Sequence, residues 1–280
     1  QITNQYQDAE ILILGNSHSL YGMSPEFFDL KTYNIANVSQ TLYFDELIFH
    51  TYLAELPELK AVVVNVSYFS LTEDVNPLGD AWRKYFYKHQ MNLDVPIVSE
   101  LDLSNYSLAT ARPFKKSVDL IREYAKNGTV VSVYPNGYGM QNNTDIVPDK
   151  DAIIEIIAKK HEDGLLDFEE NTQRLKNIIR TSKLRNIEVF LVEMPMYKPY
   201  YDLLNTDKKN KIEETLLRLE VNNSNTHYMK LSKDDRFVPA DFRDADHLTN
   251  EGAGKASKII NQFVDTMLAS DSHHLKKCYR

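Results

Sequence analysis

The chain has a single cysteine, Cys278, which excludes an internal disulfide and leaves its redox compartment open. No apolar run approaches the ~20 residues that cross a bilayer as a helix. Cations are in the minority, 32 Lys and Arg against 40 Asp and Glu for a net charge of −8. With no basic block of the kind that neutralises phosphates, this balance argues against nucleic acid or an anionic membrane surface as the main partner. There is also no Pro/Ser-rich linker, internal repeat or low-complexity tract to mark a boundary, so residues 1–280 read as one domain. The sequence opens on Gln1 instead of Met and reads as a mature or trimmed form, in which a removed signal or anchor would leave no trace.

What is present is the material of a globular α/β protein. Hydrophobic residues make up 42% and charged residues 26%, as in soluble domains with a sizeable core. Short aliphatic or β-branched runs predict buried strands over Glu10 to Leu14, Tyr33 to Ala36, Ala61 to Val66, Glu188 to Val192 and His227 to Leu231. Helical patterns lie between them over Thr41 to Leu56, Phe168 to Leu184 and Lys211 to Glu220. In the last helix, Ala253, Ala256, Ile260, Phe263 and Met267 make one buried stripe. Such alternation predicts a mainly parallel sheet between two helical layers, with ligands at the strands' C-terminal edge. The alternation breaks at about 68–167, a stretch too long for an ordinary βα connection. It holds an aromatic cluster (Tyr68, Phe69, Trp82, Tyr85, Phe86, Tyr87), a helical pattern from about Ser104 to Lys126 and a turn-rich segment at Pro135 to Gly139. It reads as an insertion over that edge, its aromatic part either shaping a groove or forming a satellite core.

Two motifs carry chemistry. Gly15-Asn16-Ser17 follows the run Ile11 to Leu14 directly and places a hydroxyl where a buried strand leaves the sheet. Near the other end, Asp244-Ala245-Asp246-His247 offers an imidazole and a carboxylate three residues before it, just ahead of a helix starting near Thr249. A serine hydroxyl is a poor nucleophile until a positioned base takes its proton, and that base needs an acid to orient it. Taken singly, the first motif reads more readily as a turn with a helix cap and the second as an acidic capping loop. The Gly-x-Ser-x-Gly elbow of α/β-hydrolases is absent. Ser19 is the competing nucleophile and ranks below Ser17. His18 reads as a loop or rim residue, and Asp246 and Asp241 as solvated or loop-structuring carboxylates. A helix N-terminus beside His247 disfavours imidazolium and predicts a neutral resting base. Gly252 and Gly254, unfavourable within a helix, read as close helix–sheet packing. His273, His274 and Cys278 lack a second ligand pair, and the Asp241–His247 carboxylates lack a second cluster, so no metal is expected.

In this order, at opposite ends of an α/β-patterned chain, the motifs resemble the SGNH (GDSL-like) esterase family. Gly15-Asn16-Ser17 is similar to the family's first block, Gly-Asp-Ser, with Asn in place of Asp. Asp244-x-x-His247 is similar to its last block. In the second block, Asn34 to Gln40, Ser39 stands at the position of an oxyanion-hole glycine. The third block, Gly-x-Asn-Asp, is not recognisable in Val64 to Phe69. The resemblance covers the first ~70 and last ~100 residues. It is nearest to divergent bacterial cell-envelope branches: polysaccharide O-acetyl esterases and transferases, and the protein that completes D-alanylation of teichoic acids.

The resemblance implies a three-layer α/β/α sandwich with a five-stranded flavodoxin-like sheet and a cofactor-free serine esterase or O-acyltransferase. Ser17, Asp244 and His247 would form the triad, with the Ser17 and Ser39 N–H groups as oxyanion hole. Asn65 or Ser67 would substitute for the missing third-block donor, although a strand-borne Asn65 reads equally as a satisfied structural amide, and Tyr197, Tyr200 and Tyr201 would offer rings to a sugar. The implied substrate is an acyl ester, most plausibly an acetyl group on an envelope glycan, with envelope biosynthesis proteins as partners. The implied location is extracytoplasmic, through an N-terminal anchor outside this sequence, with the cytoplasm as alternative. The competing reading is a catalytically inactive SGNH-like module that binds glycan or scaffolds an assembly.

Overall fold

The computed structural model describes residues 6–75, 80–107, 111–141, 146–147 and 149–278, with side chains to residue 270. The side chains of His273, His274 and Cys278 lie outside it. Five strands, β1 (Ile11–Leu14), β2 (Thr32–Asn34), β3 (Ala61–Asn65), β4 (Glu188–Glu193) and β5 (Thr226–Lys230), form one parallel sheet in the order β2-β1-β3-β4-β5. This is the flavodoxin-like α/β/α sandwich. β1 and β3 are buried along their whole length, which is why their sequences are continuous aliphatic runs.

The side chains alternate between two cores. Leu12, Leu14, Val62, Val64 and Leu191 face helices α2 (Leu42–Tyr52), α6 (Glu169–Lys183) and α8 (Thr206–Asn222). Ile11, Ile13, Val63 and Phe190 face α9 (Asn250–Cys278), whose Ala253, Ala256, Ile260 and Val264 are fully buried. β2 ends earlier than its hydrophobic pattern suggests. Asn34 turns inward there, its amide donating to the Ser19 and Met23 carbonyls while its Oδ1 accepts from Ala36 N–H.

The interval after β3 packs onto this frame in three different ways. Tyr85 and Tyr87 of α3 (Arg83–Gln90) are buried, and Tyr87 stacks on Phe44 of α2 at 4.0 Å. The helix expected over Ser104 to Lys126 is instead a 3-10 turn at Leu103–Tyr106 and a separate α4 (Phe114–Asn127). Pro113 caps α4, since a proline begins a helix but cannot sit inside one. No side chain of α4 is buried. A short α5 (Ile154–His161) that periodicity did not reveal reaches the C-terminal edge of the sheet. Among the described residues no helix is long and apolar enough to cross a membrane.

Candidate active site

The first motif sits on a turn that only glycine can make. Gly15 takes φ +125°, and a Cβ there would lie 2.6 Å from Ser19 Oγ and 2.9 Å from the Asn65 Cβ. Its N–H donates to Asp45 Oδ1 at 2.8 Å, and Gln40 Nε2 donates to the same oxygen at 2.7 Å. Burial pushes the Asp45 carboxyl up to about 7 against those two donors. Asn16 then caps α1 (Ser17–Gly22) by accepting from His18 N–H, leaving Ser17 as the first helical residue.

Asn16 makes a contact that an aspartate there would not. The Asn16 amide donates to Ser67 Oγ at 3.0 Å, a bond no carboxylate can supply. Ser67 also accepts from Asn65 Nδ2 at 2.9 Å and lies 2.7 Å from His18 Nδ1. Ser67 Oγ also has Asn16 Oδ1 within reach of its own proton, at 3.3 Å. The other ring nitrogen of His18, Nε2, lies 3.0 Å from Asp246 Oδ2.

The second motif forms a tight loop closed by pairing of Phe242 with Leu248. Asp244 Oδ1 accepts from the N–H groups of Asp246 and His247 at 3.0 and 2.8 Å. The same carboxylate has both oxygens 3.1 Å from His247 Nδ1, while His247 Nε2 lies 2.8 Å from Ser17 Oγ. Ser17, His247 and Asp244, from opposite ends of the chain, thus form a continuous hydrogen-bonded line at the C-terminal edge of the sheet. Ser19, the competing nucleophile, is buried and donates to the Leu14 carbonyl.

Two neighbours overturn sequence expectations. His18 is buried beneath the site instead of lying on its rim. Asp246 is 4% exposed, neither solvated nor spare. One of its oxygens meets His18 and the other lies 3.1 Å from His247 Nδ1, so two carboxylates face the same imidazole nitrogen. Burial pulls His247 down, but Asp246 and Asp244 outweigh it and hold it at about 9. The resting base is therefore imidazolium at neutral pH, contrary to the expectation from the helix N-terminus, because two adjacent carboxylates exceed a helix-end dipole. Both carboxyls lie below their usual range despite burial, Asp246 through His247 and His18, Asp244 through His247. His18, Asp246 and His247 are also close enough together to hold a metal ion, a grouping that inspection of the sequence missed. Each already has a hydrogen-bonded partner.

The remaining predicted residues are placed differently. Ser39 lines the same cleft as Ser17, at the left-handed φ of 54°. Among the described residues neither the Ser17 nor the Ser39 N–H makes a backbone hydrogen bond. Asn65 and Ser67 are buried and turned into the Asn16–His18 network, so they are not cleft-lining donors. Tyr200 is 1% exposed, with its hydroxyl 2.8 Å from His161 Nδ1, and presents no face to a sugar. Tyr201 carries Lys209 over its ring. Tyr197 holds the Asp244–His247 loop through its N–H, which donates to the Ala245 carbonyl, and its hydroxyl donates to Asp151. Gly252 abuts the Asp241 carbonyl, 2.1 Å from where a Cβ would sit, so the close approach is to a loop and not to the sheet.

The cleft over Ser17 has a volume of about 620 Å³, within the range of small-molecule sites. One wall is the two motifs. The other comes from the insertion: Phe69, Glu73, Asp80, Lys160 and His161. Burial draws His161 down to about 4 although Asp246 lies 3.7 Å away, so its ring is neutral. Asp80 stays below its usual range because the Ser39 hydroxyl, Arg83 and Lys116 outweigh its burial. Trp82, Tyr85 and Phe86 do not line this cleft, and Tyr85 belongs to the core against α2. No protein-family model matches the chain, and no curated protein matches it.

Proposed function

We propose that the protein is a serine-dependent acyl-ester hydrolase or acyltransferase of the SGNH type, acting on small acyl groups such as O-acetyl on a bacterial cell-envelope glycan. One observation carries this reading: Ser17 Oγ, His247 Nε2 and the Asp244 carboxylate are in hydrogen-bonding sequence at 2.8 and 3.1 Å on the floor of an open cleft.

In the reaction, His247 first loses its Nε2 proton to solvent, since at about 9 it is charged at neutral pH. Ser17 Oγ then attacks the acyl carbonyl carbon as its proton passes to Nε2. The tetrahedral oxyanion is held by the Ser17 and Ser39 N–H groups, each such donor contributing about 3 kcal/mol of barrier lowering. Collapse breaks the ester C–O bond, and the departing alkoxide takes the Nε2 proton. Water or a sugar hydroxyl then gives its proton to Nε2 and attacks the acyl-serine; the acyl–Oγ bond breaks, Ser17 Oγ takes the proton back from Nε2, and acid or acylated sugar is released. Asp244 orients the ring, and Asp246 adds charge that favours the imidazolium formed at each transfer.

Labelling by a fluorophosphonate tests the nucleophile. Modification of Ser17, lost in Ser17→Ala and accompanied by loss of ester turnover, is expected. An unlabelled protein with no turnover of any ester would leave the inactive binding module as the reading. To separate transfer from hydrolysis, an activated acetyl ester is incubated with oligosaccharides. Acetylated sugar that disappears in Ser17→Ala would establish transfer, and free acetate at a rate indifferent to sugar would establish hydrolysis.

A further inference from the structure

Among the described residues, Glu73 is the one carboxyl lining the cleft whose side chain has no hydrogen-bond or ion-pair partner. It shares the cavity with Ser17 and His247 and is half-buried as a residue. Its Oε2 is sealed from solvent without a hydrogen-bond partner. An unpartnered buried polar atom is unfavourable enough that native structures rarely keep one without a use. Its backbone is not loose, because Asn171 of α6 donates to the Glu73 and Leu71 carbonyls at 3.0 and 3.2 Å. The side chain is therefore presented to the cleft from an anchored segment.

The other carboxylates lining the cleft have cationic or imidazole partners. Asp80 meets Arg83 at 3.0 Å and Lys116 at 3.6 Å, and Asp163 meets Lys208 at 2.7 Å. Asp244 and Asp246 hold the imidazoles. Among the described residues, Glu73 is thus the only cleft carboxyl left for a ligand to meet unpaired. Burial, reinforced by Asp45, Asp80 and Asp74 and opposed by Lys160, pushes the Glu73 carboxyl up to about 8. At neutral pH it is a carboxylic acid with one O–H to give and a carbonyl oxygen to receive, the complement of an alcohol. A two-carbon acyl group fills only a small part of 620 Å³, which leaves room for the alcohol portion of an ester.

We propose that Glu73 is a specificity residue that reads a hydroxyl on the alcohol portion of the substrate. This rests on the serine-esterase reading above, and the experiment separates the two. Rates are measured for Glu73→Gln and Glu73→Leu on three probes: 6-O-acetylglucose, 4-nitrophenyl acetate, whose alcohol carries no further hydroxyl, and the alanyl ester of glycerol, whose acyl group is cationic. Thermal unfolding checks that each variant is folded. Glu73→Leu is expected to lower the preference for 6-O-acetylglucose over 4-nitrophenyl acetate, as a ratio of kcat/KM, by about tenfold or more, mainly through KM. Glu73→Gln, neutral and still able to donate and accept, is expected to stay within about threefold. An unchanged ratio in Glu73→Leu would overturn the proposal. So would a Gln variant as impaired as Leu with the alanyl ester hit hardest, since that pattern means a charged carboxylate reading a cation. Saturation transfer from Ser17→Ala protein to 6-O-acetylglucose needs no turnover. Its presence, and its loss in Ser17→Ala/Glu73→Leu, would sustain the hydroxyl site even if the esterase reading failed; its persistence in the double variant would overturn it.

Discussion

The two walls of the cleft are made by different kinds of structure. Ser17 stands three residues beyond β1, which is paired on both sides, and His247 stands on a closed loop just ahead of the long α9. Around them Gly15, Asn16 and Asp244 each have defined hydrogen-bond partners. The opposite wall comes from an irregular connection and one eight-residue helix, α5. The sheet thus positions the reacting groups, while the insertion supplies what surrounds a ligand, the usual division between scaffold and loop in open α/β folds.

The comparison breaks most visibly if the two walls prove equally important to the chemical step. Ser17→Ala is expected to lower turnover of 4-nitrophenyl acetate by about 10³-fold or more, because nothing replaces the nucleophile. His161→Ala on the insertion wall is expected to cost about tenfold in kcat/KM, by loosening the partner of Tyr200 and the surroundings of Asp246. Thermal unfolding monitored by circular dichroism would show both variants folded. Losses of similar size would place chemistry on both walls.

The next effect lies in pH. With His247 held at about 9 by two carboxylates, kcat/KM is expected to rise with pH and level off above that value. Asp246→Asn removes one carboxylate and should shift the limb down by about one to two pH units. An unmoved limb would show that Asp244 alone sets the base. The stability consequence has a definite sign. A histidine raised from 6.5 to about 9 stabilises the fold fully below pH 6.5, and that contribution fades as pH climbs through 9. Denaturant titrations at pH 6 and 10 should show less of a difference for Asp246→Asn than for the unaltered chain.

How much of this was legible in the sequence differs between the walls for the same physical reason. The five strands, and the Ser17, Asp244 and His247 positions, were readable because each is announced locally, by an aliphatic run, a Gly turn or a helix start. The roles of His18 and Asp246 were not. His18 is explained by Ser67 and Asp246, both distant in sequence, and Asp246 differs from Asp244 only in which way a loop turns it. Tyr200 looks like a binding residue in sequence yet is buried, and of the two readings open for Asn65 the structure takes the hydrogen-bonded structural amide. Glu73 and His161 lie in a segment with no periodicity to place them; Asn171 of α6 anchors the backbone of the first, and α5 carries the second to the cleft.

Beneath the triad the expected effects are on stability. His18 Nε2 is the partner of Asp246 Oδ2, at 3.0 Å. His18→Leu leaves a buried carboxylate with one partner fewer and is expected to destabilise the protein by about 3 kcal/mol, the range for breaking a buried pair from one side. Adding Asp246→Asn should recover part of that loss, because the orphaned charge is then removed. A double variant no more stable than His18→Leu alone would mean that His18 acts by packing against Phe69, its edge-to-face neighbour at 5.7 Å, and not by electrostatics.

The smallest expected effect concerns Ser39, where scaffold and insertion meet. A non-glycine residue at φ 54° carries a penalty of about 1 kcal/mol, and serine is not among the residues that adopt that region most readily. Ser39→Gly relieves the strain but adds freedom to the unfolded chain, worth about 0.5–1 kcal/mol in the opposite sense. It also removes the hydroxyl that helps hold Asp80 ionised. The balance is expected to move the unfolding midpoint by no more than about 4 °C. Turnover should stay within about threefold, because the proposed oxyanion donor is the backbone N–H, which glycine retains. Ser39→Val, branched at Cβ and ill-suited to a positive φ, should be less stable than both. A loss above about tenfold in Ser39→Gly would instead assign the oxyanion contact to the hydroxyl. It would then move the contribution of this residue from the turn the scaffold imposes to the side chain that faces the insertion.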